Sequence, residues 1–588
     1  MPLRANGREN QIETPNALIP PVEGQKYNIV AKLMRRGSSK RYRFVKKYVF
    51  WPAKSMKPIR IPPLRISSTL MVISKPGVIL CLTALAGLIV VFELSISESF
   101  VGADDAYIHL CYIDNLRNCD GFGFNPRGPS NGSTSPLWVL IAALFTSDAA
   151  NLPHAVKLLS TFLFVLSILP FYALSKHLTH SSEHAVLPTL IYGSDPWLLK
   201  WAGSTMETSL IALLILAAAC FLVRSDNLRN SAIASFLLGL GTLVRPEVAL
   251  LFALSLFLTI PSRQAGGALF KRTSTMLAIY AIVLTPWLLY ALVTFGSVLP
   301  NTFTAKITSS EATIWDTGWY FARIISVTYW PWLLVLASLI FLFFRKRLSR
   351  DSSYSPFKTR VVLMFWLWCC LIVAFYILGK LQTPSTRYLQ VMTPILISVG
   401  FGGLVHTTKS LPPLQRSNGL RRFITILVTS AVVLYNVALN ALVVFPSSQD
   451  FARGVLHTYK RVAEWLNDHA SARSRVAVTT DVGVIGYYSR CEIIDLCGLN
   501  SPEAIPYLED NLKYVLVSKP DYLVNTGENQ PFELTNQTRF RGVAVPVLSL
   551  PADIGLRAEL IAQTGRSSAQ VVHVSLYRLI WPEDRQEH

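Results

Sequence analysis

Long apolar stretches separated by short polar segments dominate the chain from residue 77 to residue 445. The first stretch, 77–96, is about twenty residues long, which is enough to cross roughly 30 Å of hydrocarbon. The pattern predicts about eleven transmembrane helices. The ten later stretches are 153–175, 185–199, 207–223, 230–244, 247–260, 274–295, 330–344, 361–379, 389–407 and 423–445. Residues 136–145 are apolar but only about ten residues long, which predicts an interfacial or re-entrant helix.

The pattern changes after residue 445, where short β-type segments alternate with helical periodicity. A helical pattern covers 451–466, and β-type segments follow at 475–481, 491–495, 513–517 and 521–524. Residues 446–588 therefore predict a single soluble α/β domain. Within it, 481–486 resembles a phosphate-binding loop only loosely, because the first glycine of that motif is missing.

Composition supports a membrane protein, since 51% of the residues are hydrophobic and only 15% are charged, against the usual quarter. The net charge of +20 would suggest a nucleic-acid partner in a soluble chain. However, 16 Lys and Arg residues against three Glu lie within residues 1–75. We interpret this segment as a basic cytoplasmic tail, largely disordered or lying on an anionic leaflet, and expect no nucleic-acid partner.

The charges between the apolar stretches predict the topology. Loops on the side of the basic tail hold 16 Lys and Arg in 59 positions, and loops on the other side hold 8 in 91. Because cytoplasmic loops collect basic residues, the N-terminus is predicted to be cytoplasmic and the C-terminal domain periplasmic or extracellular. The expected organisation in the inner (plasma) membrane is tail 1–75, transmembrane domain 76–445 with outer loop 97–135, and domain 446–588.

Two adjacent carboxylates, Asp104 and Asp105, open the first outer loop. On a helix, His109 would lie one turn after Asp105. The pair could be an N-cap and a first-turn charge, or one carboxylate could be a general base while the other positions groups or assists a divalent metal. We slightly favour Asp104 as the base. Together with Glu207, these carboxylates are too few to assert a metal site, and the eight cysteines form no C-x-x-C pair.

Further polar residues lie at the outer ends of the predicted spans. Each has a structural explanation, as a helix-end charge, a local ion pair, a turn residue or a cation reaching the interface. Because ionisable groups at a membrane are costly and their positions share one face, we expect function. Lys306 and Arg387, with Arg245 less securely, are predicted to bind a phosphate, and Tyr107, His109, Glu207 and Asn301 are predicted to contact substrate.

Short motifs in these loops carry a resemblance. They are Asp104-Asp-Ala-Tyr-Ile108, Gly121-Phe-Gly-Phe-Asn-Pro126, Thr134-Ser-Pro-Leu-Trp138, Met206-Glu-Thr208, Arg245-Pro-Glu247, Leu299-Pro-Asn-Thr302 and Arg387-Tyr388. In this order they resemble the loops of GT-C-type bacterial membrane glycosyltransferases that use polyprenyl-phosphate sugars, particularly relatives of the mycobacterial terminal arabinofuranosyltransferase. The chain departs from that group at Cys111 and at Ser130-Asn-Gly132.

The resemblance implies an inverting transfer of a sugar, such as the pentose arabinofuranose, from a polyprenyl-phosphate donor to a cell-envelope glycan or lipid acceptor. It also implies an aspartate of the first loop as base and no nucleotide sugar. Two alternatives remain open: a transporter or flippase of a lipid-linked substrate, and a glycan-binding membrane protein without catalysis. The C-terminal domain is expected to contact the acceptor rather than to perform chemistry.

Overall fold

The fold is described by a computed structural model. It describes residues 76–95, 103–147, 151–224, 227–258, 266–308, 312–328, 356–381, 387–410, 417–528, 533–541, 543–553 and 571–581. The predicted tail 1–75 and the predicted span 330–344 lie outside the described residues. The domain boundaries and the count of eleven spans therefore stay predictions.

Five helices of the described residues are long and apolar enough to cross a membrane. They cover Pro76–Glu93, Leu152–Thr179, Gly267–Phe295, Val361–Leu378 and Asn418–His469. Shorter apolar helices cover Pro136–Phe145, Thr208–Leu222 and Thr393–Val405. Pro136–Phe145 forms the predicted short helix, with proline at its first position, where the missing N–H costs nothing.

The remaining helices connect these segments. They are Asp104–Arg117, Ser182–Ser194, Pro196–Ala202, Leu228–Thr242, Val248–Leu258, Asn301–Thr308, Ile314–Thr328 and Arg387–Gln390. The predicted span 185–199 is wrong as one continuous helix. Asp195 ends the first part with extended backbone, and its carboxylate accepts hydrogen bonds from the N–H groups of Trp197 and Leu198 that open the second.

One long helix leads into the C-terminal region. Residues Asn418–His469 form 52 continuous helical residues, which include two π-helical turns at Asn440–Val444 and Ala452–Leu456. At 1.5 Å per residue it is about 78 Å long. The separation predicted between 423–445 and 451–466 is wrong, because the α-helical segment Phe445–Phe451 spans residue 446 and joins the two π-helical turns.

The C-terminal region contains one five-stranded mixed sheet. Its strands are β1 (Arg475–Val478), β2 (Glu492–Asp495), β3 (Tyr522–Glu528), β4 (Ala544–Asp553) and β5 (Val571–Leu579), in the order β2-β1-β3-β5-β4. Strand β1 pairs in parallel with β2 and β3, whereas β5 pairs antiparallel with β3 and β4. The small α/β region is therefore present, with helices Gly483–Tyr488 and Asn511–Ser518 between strands.

The segment 513–517 is helical, not β-type as predicted. It belongs to helix Asn511–Ser518, whose Leu512 and Val515 are buried three residues apart on one face. A short apolar run does not distinguish a strand from a buried helix by periodicity alone. The two faces of the sheet bury different side chains: Val524 joins the core that also contains membrane-region residues, and Leu523 joins a separate core with Phe540.

Candidate active site

A cavity of about 330 Å³ lies among the helix ends that carry the predicted site residues. The polar side chains that line it are those of Asp105, His109, Ser133, Thr134, Glu207, Arg245, Glu247, Thr302, Lys306, Tyr376, Arg387 and Tyr388. Apolar side chains line the rest, among them Leu250, Phe303, Phe375 and Leu381, and Leu499 comes from the C-terminal region. The cavity thus combines a small set of charges with an extended apolar wall, as ligand sites commonly do.

Asp105 presents a carboxylate to this cavity from the first turn of helix Asp104–Arg117. Its Oδ2 accepts a hydrogen bond of 2.7 Å from Arg387 Nη2, and its side chain is 39% exposed. Burial opposes ionisation, but the charges of Arg387 and Lys306 outweigh this effect and lower the pKa of Asp105 to about 2. Asp105 is therefore ionised at neutral pH and accessible from the cavity.

Lys306 and Tyr388 lie beside this ion pair. Lys306 Nζ donates a hydrogen bond of 2.9 Å to the Tyr388 hydroxyl, and within the described part of the chain its ammonium pairs with no carboxylate. Its helix, Asn301–Thr308, is attached to the first loop because the Asn301 N–H donates to the Asn131 carbonyl at 2.8 Å. Arg387 and Lys306 thus place two cations against one carboxylate.

Arg245 lies in a different environment. Its Nη1 is 3.0 Å from Glu207 Oε1, its Nη2 is 2.8 Å from Glu247 Oε1, and Nη2 also donates to the Tyr376 hydroxyl at 3.2 Å. Tyr376 in turn donates to Glu247. His109 Nε2 lies 3.5 Å from the second oxygen of Glu207. We call Arg245, Glu207, Glu247 and Tyr376 the Arg245 cluster.

Burial disfavours ionisation of Glu207, but the adjacent His109 imidazole and the charges of Arg387 and Arg245 lower its pKa below the ordinary range. The polar atoms of the cavity lining that are buried without a hydrogen-bond partner among the described residues include His109 Nδ1, Arg245 Nε and Glu247 Oε2. Since buried polar atoms nearly always have partners, these atoms are available to hydrogen-bond water or a polar ligand.

Asp104 faces away from the cavity. Its Oδ2 accepts from the N–H of Gly483 at 2.7 Å, and its Oδ1 accepts from the N–H of Val484 at 2.8 Å. Burial and the charge of Asp481 raise the pKa of Asp104, and the two hydrogen bonds act in the opposite direction. The loop 481–486 that loosely resembles a phosphate-binding loop therefore binds a carboxylate of the chain itself.

Two other predicted substrate contacts also lie outside the cavity lining. Tyr107 is buried against Tyr487 and Tyr488, with ring centroids 5.8 and 5.7 Å apart. Asn301 is the first residue of its helix, and its backbone N–H donates a hydrogen bond to the Asn131 carbonyl. Among the described residues, no group of three or more His, Cys, Asp or Glu side chains could hold a metal ion.

Sequence reasoning assigned no site role to Tyr376, Tyr388 or Leu499, and it considered Glu247 only as a local ion-pair partner of Arg245. Tyr388 follows Arg387 directly and could have been found, because an aromatic hydroxyl next to a predicted phosphate-binding arginine is itself a candidate. Tyr376 carries a hydroxyl within an otherwise apolar span, which is a signal for a polar partner. Leu499 gave no signal in the sequence.

Comparisons with solved structures agree with this architecture. ArnT from Cupriavidus metallidurans, bound to undecaprenyl phosphate, is similar over 85% of this chain and 98% of its own, with a TM-score of 0.52 and 12% identity. The oligosaccharyltransferase of Archaeoglobus fulgidus, tethered to an acceptor peptide, is similar over 77% of this chain and 69% of its own, also with a TM-score of 0.52 and 12% identity.

In sequence comparisons, residues 450–577 match a family described as "Domain of unknown function (DUF8728)". No curated protein matches the chain. The structural likeness confirms the predicted fold class: the chain has a polytopic α-helical, GT-C-like membrane-protein fold with a C-terminal α/β region.

Proposed function

We propose that the chain is a glycosyltransferase that moves a sugar from a polyprenyl-phosphate donor to an acceptor. The observation that carries this proposal is the cavity in which accessible Asp105 lies 2.7 Å from Arg387 and beside Lys306. A fold shared with ArnT, which was solved with undecaprenyl phosphate, supports a lipid-phosphate ligand for these cations. The apolar wall containing Leu250 and Phe375 suits the lipid chain.

In the proposed reaction, the acceptor hydroxyl attacks the anomeric carbon while Asp105 takes its proton. The bond between the anomeric carbon and the phosphate oxygen breaks, its electron pair stays on that oxygen, and polyprenyl phosphate leaves. Lys306 and Arg387 stabilise the negative charge that develops there. Attack from the face opposite the phosphate inverts the anomeric configuration, as the sequence resemblance implies.

A carboxylate with a pKa of about 2 is a weak base, and the donor phosphate changes this. Phosphate binding shares the Arg387 guanidinium between two anions and adds a negative charge near Asp105, so the pKa of Asp105 rises toward the range of an effective base. The carboxylate is thus held ionised before the donor arrives and becomes more basic when the donor is bound.

Asp105 is the proposed base rather than Asp104, because both oxygens of Asp104 already accept backbone N–H groups. Arg245 is proposed to hold Glu207 and Glu247 in place rather than to bind the phosphate. His109, with Nδ1 free of partners among the described residues, is proposed to bind a sugar hydroxyl together with Glu247. Leu499 in the cavity wall supports contact between the C-terminal region and the acceptor.

The test uses membranes that contain the full chain, polyprenyl-phosphoryl sugars and an envelope glycan acceptor. Release of polyprenyl phosphate with extension of the acceptor is expected, and Asp105→Asn should lower turnover by about 10² to 10⁴. Asp114→Asn, on the same helix but paired with Arg117 at 3.4 Å, is the matched control and should stay active. Normal turnover by Asp105→Asn would overturn the proposed base.

The finer elements of the proposal come from the sequence. The transferred sugar is proposed to be a pentose such as arabinofuranose, which a panel of pentosyl and hexosyl donors will test. The cavity is proposed to face the outside of the inner (plasma) membrane, with the N-terminus in the cytoplasm. Reporter fusions at residues 30 and 530 should report opposite sides, and the same side for both would contradict this topology.

A further inference from the structure

The first loop is attached to the C-terminal region by a series of hydrogen bonds. Asn125 Nδ2 donates to the Ile493 carbonyl at 2.8 Å, and the Ile493 N–H donates back to Asn125 Oδ1 at 3.0 Å. The Tyr112 hydroxyl donates to Asn500 Oδ1 at 3.1 Å. The Asp104 bonds to Gly483 and Val484 belong to this interface and lie next to the proposed base, Asp105.

The contact at Asp104 is close as well as polar. Asp104 is only 5% exposed, and each of its carboxylate oxygens accepts one N–H group. A Cβ atom added to Gly483 would lie 2.2 Å from the Asp104 carbonyl oxygen, so the backbones meet at a distance that only glycine permits. The first turn of helix Asp104–Arg117 is therefore held at its backbone and at one side chain.

We propose that Asp104 is a positioning residue, which ties the first turn of its helix to Gly483 and Val484 and thereby aims Asp105 at Arg387. This inference rests on the proposed function. Consecutive helical side chains point about 100° apart, so one carboxylate holds the turn from the side of the C-terminal region while the next faces the cavity. A misplacement of about 1 Å at a reacting group can lower the rate about a hundredfold.

Through this contact, the C-terminal region contributes to the geometry of the proposed catalytic site. The N–H groups that hold Asp104 belong to helix Gly483–Tyr488, outside the cavity lining. A change there is expected to reduce turnover without removing any group that touches the donor. A region that only bound the acceptor would instead change the acceptor KM.

A double-mutant cycle tests the dependence of Asp104 on Asp105 in the full chain. Asp104→Asn replaces one acceptor oxygen by an amino group and should lower kcat about tenfold to a hundredfold, with little change in donor KM. In the Asp105→Asn background the same change should cost nothing further. Multiplicative losses in the double variant would show that Asp104 acts independently and would overturn the inference. An active Asp105→Asn variant would instead refute the proposed base.

Variants on the other side of the contact provide a second test that leaves Asp104 intact. Val484→Pro removes the N–H that Asp104 Oδ1 accepts, at a helix position where proline is tolerated, and should reproduce the kcat loss. Val484→Ala keeps the N–H and is its comparison for side-chain size. Full turnover by Val484→Pro would contradict the positioning role.

Asn125→Ala is the matched control for the interface as a whole. It removes two hydrogen bonds to Ile493, as many as Asp104 makes, but lies far along the loop from Asp105. Its kcat should match the unmodified chain when thermal unfolding and detergent-extracted monodispersity show that it is folded. A loss equal to that of Asp104→Asn would indicate general attachment of the C-terminal region and would overturn the inference.

Discussion

Arg245 and Arg387 lie in the wall of one cavity, and each is almost fully buried, yet their surroundings differ. Arg245 is matched by two carboxylates, Glu207 and Glu247, which leave the Arg245 cluster with an excess negative charge. Arg387 shares the half-exposed Asp105 with neighbouring Lys306, so that side has an excess positive charge. We therefore propose different roles for the two arginines: Arg245 maintains the structure, and Arg387 is available to an anionic ligand.

The largest expected effect is on the free energy of unfolding of the protein when the Arg245 cluster is broken. Arg245→Met leaves two buried carboxylates without their cation, and breaking such a pair costs about 3–5 kcal/mol. The measurement is thermal unfolding of the detergent-extracted protein. The triple variant Arg245→Met, Glu207→Gln and Glu247→Gln removes the unmatched charges and should recover much of this loss. An unfolding temperature of Arg245→Met equal to that of the unmodified chain would contradict the structural role proposed for Arg245.

Next in size is the effect of the cations beside Asp105 on catalysis. Arg387→Gln and Lys306→Met should each lower turnover about 10²- to 10³-fold. Each change removes a cationic hydrogen-bond donor that stabilises the negative charge developing on the leaving phosphate. Polyprenyl phosphate should raise the unfolding temperature of the unmodified chain, and this increase should shrink in both variants. Equal ligand stabilisation in all three proteins would contradict phosphate binding at this side of the cavity.

Acid dependence separates the two sides further. Because Asp105 has a pKa of about 2, kcat/KM of the unmodified chain should show no loss from Asp105 between pH 4 and pH 7. Without Arg387 the pKa rises, so protonation of the base begins at higher pH. The residual kcat/KM of Arg387→Gln should then fall as the pH drops toward 4. Identical acid profiles for the two proteins would show that Arg387 does not control Asp105.

The smallest expected effect is alkaline. Burial opposes ionisation of Tyr388, but Lys306, Arg387 and Arg245 together lower the pKa of its phenol to about 8. Above that pH the phenolate adds a negative charge beside the donor phosphate, so kcat/KM should decline a few-fold. Tyr388→Phe cannot ionise and should keep its kcat/KM across the same range. A decline that persists in Tyr388→Phe would assign it to another group.

The sequence predicts which residues share the cavity better than it predicts their roles. Alternating spans bring Asp105, Glu207, Arg245, Lys306 and Arg387 to one face, and the structure places all five in one cavity lining. The sequence does not reveal that Asp104 and Asp105 have different surroundings. The hydrogen-bond partners of Asp104 lie 379 and 380 residues away, and no local periodicity encodes them. The slight preference for Asp104 as base rests on the sequence alone, and the proposal of Asp105 as base adds these distant contacts.

The fold shows the same division between local and distant information. Apolar length alone locates the long helices, whereas the interruption at Asp195 depends on a cap inside an apolar run. The continuous helix Asn418–His469 also escapes a pattern reading, since polar residues follow its apolar part and suggest a boundary. At both places, local backbone hydrogen bonding determines where a helix ends or continues, and the average hydrophobicity of a sequence window does not show it.

Gly483 has a consequence for how such chains can be recombined. Its backbone meets Asp104 so closely that a methyl group would lie 2.2 Å from the Asp104 carbonyl oxygen. The region 450–577 matches a family on its own. Its contact with the first loop nevertheless depends on the complementary shapes of both segments. A chimera that exchanges this region alone is therefore expected to lose the close contact between Asp104 and Gly483. A chimera that also exchanges residues 103–135 is expected to keep this contact, because both partners come from the same chain.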